Sequence, residues 1–170
     1  MERRAAILGI ASSVFAGLAA RTGAAAATAT LDPLLGAHEW LNGAPTAASL
    51  RGKVVLVDVF TFACINCKNV VPNLRALERE RRDDFAIVGV HSPETSYEKE
   101  RSSVVANLAR QGITWPVAID NSFAIWNAYG VEYWPTQLIF DRSGHLAQTV
   151  IGDSQDALVD SAVRRLLAQG

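Results

Sequence analysis

Cysteine is scarce in this sequence, and so is histidine. The 170 residues include two cysteines and three histidines, and the cysteines, Cys64 and Cys67, are separated by only two residues. Two cysteines this close together cannot cross-link distant parts of a small secreted domain, so we expect them to be reactive rather than structural. A zinc site would need two further ligands, and no pair of histidines has the usual spacing. The counts therefore favour redox chemistry over a structural metal.

An excess of charge of one sign is also missing. Lysine and arginine number 16, aspartate and glutamate number 17, and the net charge is −1. Residues 1–29 contain three of the cations and one of the acids, so the rest of the chain has 13 against 16 and a net charge of −3. No basic face indicates nucleic-acid binding, and no acidic block indicates a disordered tail. With 49% hydrophobic residues, the chain is expected to form one globular domain after a leader.

No hydrophobic run is long enough to be an obvious membrane span. The N-terminal apolar stretch, residues 5–20, is shorter than the ~20 residues that a spanning helix needs. It follows Arg3 and Arg4 and precedes Ala-x-Ala sites, as in a bacterial export signal. We expect residues 1–29 to be a cleaved signal peptide and the protein to be periplasmic or otherwise exported. An uncleaved anchor is the alternative, and the two arginines also fit the twin-arginine route.

The domain organisation expected from the sequence has three parts. After the signal peptide, residues 30–49 contain prolines and glycines and are expected to form an N-terminal extension. Residues 50–170 are expected to form the folded domain, because the strongly patterned apolar segments all lie there.

The most informative stretch is residues 54–72, which reads VVLVDVFTFACINCKNVVP. Its first seven residues are apolar except for Asp58, which predicts a strand buried on both faces of a parallel sheet. Apolar residues then recur at helical spacing, so the strand delivers Cys64 to the start of a helix. The free amides and dipole of a first turn stabilise a thiolate. We therefore expect Cys64 to be the nucleophile and Cys67, one turn later, to resolve a mixed disulfide.

Asp58 is the only charge in that buried strand. A charge there costs several kcal/mol unless it is used or neutralised. An uncompensated buried carboxylate has a raised pKa, which suits it to accept a proton from Cys67. We predict this role for Asp58, and a structural cap or ion pair is the alternative.

The rest of the chain predicts alternating strands and helices. A β-α-β unit is expected because a second apolar run follows the cysteine helix. The expected strands lie near residues 39–41 and at 85–90, 115–119, 137–141 and 145–152, and the last two form a hairpin. The expected helices are the cysteine helix to residue 82 and helices at 97–111, 121–129 and 156–168. The helix at 97–111 has Val104, Val105 and Leu108 on its apolar face, and the helix at 121–129 is capped by Asn121 or Ser122.

His91 and Glu94 follow the second buried strand. Sites in open α/β sheets form beyond the carboxyl ends of parallel strands, so we expect these side chains at the same edge as the thiols. A solvated loop histidine is the alternative. Two thiolates and one imidazole also suit copper, so a copper chaperone using Cys64, Cys67 and His91 stays open as a second function.

These residues resemble the thioredoxin superfamily, in which a strand with a buried acid leads to Cys-x-x-Cys and a proline-containing helix. Asp58 lies six residues before Cys64 and Pro72 five after Cys67, as in the thioredoxin pattern. The resemblance implies an α/β thioredoxin fold with a central mixed β-sheet flanked by helices. The helix and strand expected at residues 97–119 resemble the extra insertion of the exported TlpA/ResA-like branch.

A closer resemblance, over residues 50–167, is to the thioredoxin-like domain of DipZ-type proteins. The matching stretches are FACINC at 62–67, GVHSPE at 89–94, DN at 120–121 with IWNAY at 125–129, and YWP at 133–135. The resemblance implies that His91 and Glu94 are site residues. It also implies that Pro135 is a cis proline facing the disulfide, with the backbone before it pairing an extended substrate.

The same resemblance implies a thiol–disulfide oxidoreductase with no cofactor beyond its redox-active disulfide. Its expected partners are protein thiols and disulfides and a membrane electron donor of CcdA or DsbD type, and we expect a monomer. Ile65 and Asn66, between the cysteines, are expected to tune the reduction potential. Trp134 and Thr136 are expected to contact substrate, and Thr136 and Gln137 depart from what commonly follows the Trp-Pro pair in this branch.

A peroxiredoxin-like (AhpC/TSA) peroxidase is a further alternative, since that family shares the fold. Thr61 stands three residues before Cys64, as that family requires. The proline that accompanies such a threonine is missing here. Rapid consumption of hydrogen peroxide with a thiol donor would favour this alternative.

Overall fold

The computed structural model describes residues 29–80 and 83–169. The strands are β1 (Trp40–Leu41), β2 (Val54–Phe60), β3 (Phe85–His91), β4 (Val117–Ile119), β5 (Thr136–Phe140) and β6 (Leu146–Ile151). The helices are α1 (Asp32–Leu35), α2 (Ala47–Leu50), α3 (Ile65–Glu80), α4 (Arg101–Gln111), α5 (Ala124–Ala128) and α6 (Asp156–Leu167), and a 3₁₀ helix spans Ser96–Lys99. The strands form a six-stranded sheet in the order β1-β4-β3-β2-β5-β6.

The sheet is mixed, as the resemblance to the thioredoxin superfamily implies. β2, β3 and β4 are parallel, whereas β1, β5 and β6 each run antiparallel to a neighbour. β2 lies in the middle, between β3 and β5, and all seven of its residues are buried. This position explains why its sequence is an almost unbroken apolar run.

Helices cover both faces of the sheet. Because alternate residues of a strand point to opposite faces, Leu56 and Phe60 of β2 join the core under α3, α4 and α6. Val55 and Val57 join the core under α1 and α5. Asp58 is in register with Leu56 and Phe60, so it points toward α3, the helix that begins beside the cysteines.

The helix expected at residues 97–111 is two helices. Glu100 has extended backbone angles (φ −69°, ψ 113°) and separates the 3₁₀ helix from α4. The buried carboxylate of Glu98 accepts hydrogen bonds from the amides of Glu94 and Thr95 and so closes the first turn on itself. Val105, expected on the apolar face, is 43% exposed.

The expected cap of α5 is wrong. Neither Asn121 nor Ser122 caps the helix, which begins at Ala124. Asp120 does so instead, because its carboxylate accepts from the amide of Ile125 over 3.2 Å and from that of Trp126 over 2.9 Å. The bounds of the remaining strands and of α6 differ from expectation by one or two residues.

Residues 30–49, expected to be an extension, pack against the sheet. Thr30 forms an isolated bridge with His145, and its carbonyl accepts from the Tyr129 hydroxyl over 2.9 Å. Leu34 of α1 is fully buried, and β1 pairs with β4. These contacts place the segment within the same folded body as the rest of the described chain.

Two expectations fall outside the described residues. Residues 1–28 of the expected signal peptide are among them, and so are Arg81 and Arg82 at the expected end of the cysteine helix. In the described part, α3 ends at Glu80. Across residues 29–80 and 83–169, no helix is long and apolar enough to cross a membrane.

Candidate active site

The two cysteines lie where β2 delivers the chain to α3. Residues 61–63 connect β2 to Cys64, and α3 begins at the next residue. The amide of Cys67 donates a hydrogen bond to the sulfur of Cys64 over 3.3 Å, and both thiols are free. Cys64 is partly exposed, whereas Cys67 is only 2% exposed. The sulfur of Cys64 is therefore the one that another chain can reach.

The thiol of Cys67 is difficult to ionise in this setting. Burial is the main cause that raises its pKa, and the hydrogen bond with Cys64 and the charge of Asp58 raise it further. The backbone of Thr61 works in the opposite direction and lowers the pKa of the Cys67 thiol. Removal of this proton requires a base nearby.

Asp58 is near enough to Cys67 for its charge to raise the pKa of that thiol. It is 1% exposed, and its Oδ1 has no hydrogen-bond partner among the described residues. Burial raises the pKa of Asp58 from 3.8 to about 7, and a hydrogen bond from Gln137 on β5 offsets only part of the rise. A carboxyl with this pKa changes protonation near neutral pH and can both accept and return a proton.

Pro135 lies at the same edge of the sheet as the cysteines. The Trp134–Pro135 peptide bond is cis, as the resemblance implies. β5 starts directly after it and runs antiparallel to β2, with Thr136 opposite Val59, so the start of β5 meets the end of β2. The indole of Trp134 donates to the carbonyl of Ser92 over 3.0 Å, which fixes the segment before the proline.

Exposed side chains follow Cys64 directly and also occur on the segments that carry Tyr97 and Tyr133. Ile65 is 66% exposed, and Asn66 beside it is also exposed. Tyr97 and Tyr133 are exposed as well, and Tyr97 packs edge-on against the buried ring of Phe62 at 5.6 Å. Apolar and aromatic surface next to a reactive sulfur suits contact with another polypeptide.

His91 is buried, so the alternative of a solvated loop histidine is wrong. It ends β3 opposite Phe60 and stacks on Phe62 with ring centroids 5.4 Å apart. Burial lowers the pKa of His91 to about 4, and the charge of Glu98 offsets part of that shift. The imidazole is therefore neutral at neutral pH.

The side chain of Glu94 does not lie in the site. The residue is exposed, and its backbone amide, not its carboxylate, takes part in the local network. Across residues 29–80 and 83–169, no three His, Cys, Asp or Glu side chains lie close enough together to hold a metal ion. The three copper ligands considered from the sequence, Cys64, Cys67 and His91, therefore do not form a ligand set in this structure.

Glu98 is a site residue that sequence reasoning missed. One oxygen of its buried carboxylate accepts from the Thr61 hydroxyl and the Ala63 amide. The other accepts from the amides of Glu94 and Thr95 and from the Thr95 hydroxyl. Burial alone would raise the pKa of Glu98, but these hydrogen bonds outweigh it and lower the pKa. The spacing of Thr95 and Glu98 fits a capping box, yet that pattern predicts only a local turn.

Comparison with known proteins finds relatives of this sequence. A family model described as thioredoxin-like matches residues 52–146. DipZ of Mycobacterium tuberculosis is 35% identical over 143 residues, which cover 81% of this chain and 21% of that protein. Thiol-disulfide oxidoreductase YkuV of Bacillus subtilis is 29% identical over 137 residues, covering 80% of this chain and 93% of that protein. The chain thus spans about a fifth of the length of DipZ.

Solved structures agree with this similarity. The solution structure of a thioredoxin-like protein in the oxidised form matches with a TM-score of 0.71 and 29% identity, covering 76% of this chain and 88% of that one. A thiol-disulfide isomerase from Corynebacterium glutamicum matches with a TM-score of 0.68 and 26% identity, covering 77% and 92%. The thioredoxin fold expected from the sequence is confirmed.

Proposed function

Because the chain belongs to the thioredoxin-like family of thiol–disulfide oxidoreductases, we propose that it exchanges electrons with protein disulfides outside the cytoplasm through Cys64 and Cys67. One observation carries the proposal: a partly exposed sulfur at a helix start lies beside a buried one, and a buried carboxyl with one unpartnered oxygen, Asp58, is near enough to raise the pKa of the inner thiol. An outer nucleophile, an inner resolving thiol and a base are the groups that disulfide exchange needs.

In the reducing direction, the Cys64 thiolate attacks one sulfur of a target disulfide and the other target sulfur leaves as a thiolate. Asp58 takes the proton from Cys67, whose sulfur then attacks that of Cys64. This second step breaks the mixed disulfide and releases, as a thiolate, the target sulfur that Cys64 had attacked. The target gains two electrons, and the protein is left with a Cys64–Cys67 disulfide.

Asp58 acts on the second step because the second sulfur is the buried one. Burial raises the pKa of Cys67, so solvent hydroxide reaches its proton poorly. The unpartnered Oδ1 of Asp58 gives that proton a destination within the core. The carboxyl loses it again near neutral pH, since its pKa is about 7.

The segment before β5 is proposed as the binding surface for substrate. Pro135 in its cis form and the fixed Trp134 lie at the edge of the sheet where β2 delivers the cysteines. Exposed Ile65 supplies apolar contact, and exposed Asn66 adjusts the preference for one target over another. Thr136, expected from the sequence to contact substrate, is instead only 2% exposed, and its hydroxyl donates to the carbonyl of Tyr133. His91 supports the same region by packing under Phe62.

The proposal also includes export of the protein and reduction of its Cys64–Cys67 disulfide by a membrane donor. The leader-like residues 1–29 support a location outside the cytoplasm, and the resemblance to DipZ supports a membrane electron donor of CcdA or DsbD type. N-terminal sequencing of the mature protein from an export-competent host tests the first point. We expect the mature chain to begin within residues 27–30, and a chain that keeps Met1 would overturn cleavage.

The activity is tested by reduction of insulin disulfides with dithiothreitol as the electron source. We expect catalysed precipitation of the insulin chains, and we expect Cys64→Ser to abolish it. Hydrogen peroxide consumption measured with the same donor serves as the comparison. Peroxide turnover without insulin reduction would replace the proposal with the peroxidase alternative.

A further inference from the structure

The carboxylate of Glu98 joins two parts of the chain that are distant in sequence. It lies on the 3₁₀ helix, yet one of its oxygens accepts from Thr61 and Ala63 in the loop that carries Cys64. Its other oxygen closes the turn of its own helix. A buried charge that accepts several hydrogen bonds holds its partners more firmly than a neutral acceptor would.

The loop held in this way lies near the inner sulfur. The backbone of Thr61 is near enough to Cys67 to lower the pKa of its thiol, while the hydroxyl of the same residue donates to Glu98. Thr61 therefore has its side chain anchored by Glu98 and its backbone close to the resolving cysteine. A shift of the loop would move that backbone away from the sulfur.

The loop also packs against the buried ring of His91. Phe62 lies between the two residues that Glu98 binds, and it stacks on the buried ring of His91. The Nε2 of His91 lies 3.4 Å from the Thr61 hydroxyl. With Glu98 and His91 on either side, the hydroxyl can donate to the carboxylate and accept from the imidazole, which leaves it a single orientation.

We propose that Glu98 is a positioning residue for disulfide exchange, because it holds Thr61 so that the backbone of Thr61 stays near the sulfur of Cys67. This inference rests on the proposed function and adds to it a part for the 3₁₀ helix of the insertion. Glu98 does not touch substrate and accepts no proton in the reaction. It acts through the loop, and its effect falls on the step in which Cys67 reacts.

A symmetric nitrobenzoate disulfide separates the two steps. Cys64 attacks it and releases one coloured nitrobenzoate thiolate, which leaves a mixed disulfide on Cys64. Cys67 then loses its proton to Asp58 and attacks the sulfur of Cys64, which releases a second coloured thiolate and forms the internal disulfide. In stopped flow the two releases appear as two phases, and the second phase reports the reaction of Cys67.

Two variants loosen the loop from opposite ends. Glu98→Gln keeps the size of the side chain but has one carbonyl oxygen, so it cannot serve both the loop and the turn. Thr61→Val removes only the hydroxyl and leaves the Glu98 carboxylate in place. For each variant we expect the second phase to slow by about tenfold, the effect of losing roughly one hydrogen bond, with the first phase changed less than twofold.

Thr95→Ala is the matched control, because it removes a hydrogen bond from the oxygen of Glu98 that faces the turn. It should leave both phases unchanged even if the protein unfolds at lower temperature. If Glu98→Gln does not fold, judged by near-ultraviolet circular dichroism, Thr61→Val carries the test alone. The proposal is wrong if the loop variants slow the second phase no more than Thr95→Ala does. A wild-type protein that releases no second thiolate would instead overturn the proposed function itself.

Discussion

Asp58 lies directly opposite Gln137 in the antiparallel pairing of β2 with β5, and each is 1% exposed. The Gln137 amide is the polar group that lowers the pKa of Asp58, while burial raises it by more. Two neighbouring strands thus determine how readily the proposed base takes a proton. Gln137 lies two residues after the cis proline, so the pKa of the core carboxyl depends on a residue close to the proposed binding segment.

Gln137→Leu should raise the pKa of Asp58 above its value of about 7, because only the effect of burial then remains. The pH at which the second thiolate release is half-maximal should move up by about one unit, since ~1 kcal/mol of hydrogen bonding is worth roughly one pKa unit. Gln148→Leu makes the same chemical change on β6, where Gln148 binds Arg165. That control should keep the wild-type midpoint, and an equal shift in both variants would contradict the assignment to Gln137.

Asp58→Asn should slow the second release roughly a hundredfold at pH 8 while leaving the first release close to that of the wild type, because it removes a general base. In the wild type, this rate should rise as pH increases through about 7, where Asp58 becomes ionised and able to accept a proton. The variant should lack that rise. Identical profiles for both proteins from pH 6 to 9 would remove Asp58 from the mechanism.

The stability of the reduced protein should also report Asp58. Its pKa is about 7 when folded and 3.8 as the reference value, so between these values the folded state binds more protons and stability falls as pH rises. Asn cannot ionise, so the variant does not lose stability in this way. The free energy of unfolding of Asp58→Asn minus that of the wild type should therefore increase by about 2 to 3 kcal/mol between pH 5 and pH 8. Urea unfolding with a reductant present measures it. A constant difference at both pH values would mean that Asp58 titrates normally.

Gly89 tests the packing beneath the site. A Cβ at this position would lie 2.9 Å from Cγ2 of Val117 and 3.1 Å from the ring of Phe60. Gly89→Ala should therefore lower the free energy of unfolding by about 1 to 3 kcal/mol through overpacking. Gly36→Ala is the control, because its nearest neighbour is a backbone oxygen at 3.5 Å, and its stability should change little. Equal effects on urea unfolding would show that the contacts at Gly89 can relax.

The sequence was sufficient to predict the elements that carry the cysteines. The apolar run of β2 and the helical spacing after Cys67 are local patterns, and the order of strand, cysteines and helix follows from them. The burial of Asp58 was predictable for the same reason, because a strand between two others buries both of its faces. The strand positions of β3 and β5 followed equally from short apolar runs.

The polar contacts between distant segments were not predictable in this way. Glu98 binds Thr61, which lies 37 residues earlier, and no local pattern links the two. Asp120 caps α5 in place of the nearer Asn121 because the chain turns before the helix starts. The place of Glu94 after a strand predicts a site residue, but the carboxylate that enters the core belongs to Glu98, one turn later.

The division of labour between the two sulfurs can be measured directly with Cys67→Ala. The reduced variant is mixed with a synthetic peptide containing one disulfide, and the products are analysed by mass spectrometry. We expect a stable mixed disulfide on Cys64, and we expect Cys64→Ala to form almost none through the buried Cys67. Equal adducts on both variants, or none on Cys67→Ala, would contradict the account of an exposed nucleophile backed by a buried resolving thiol.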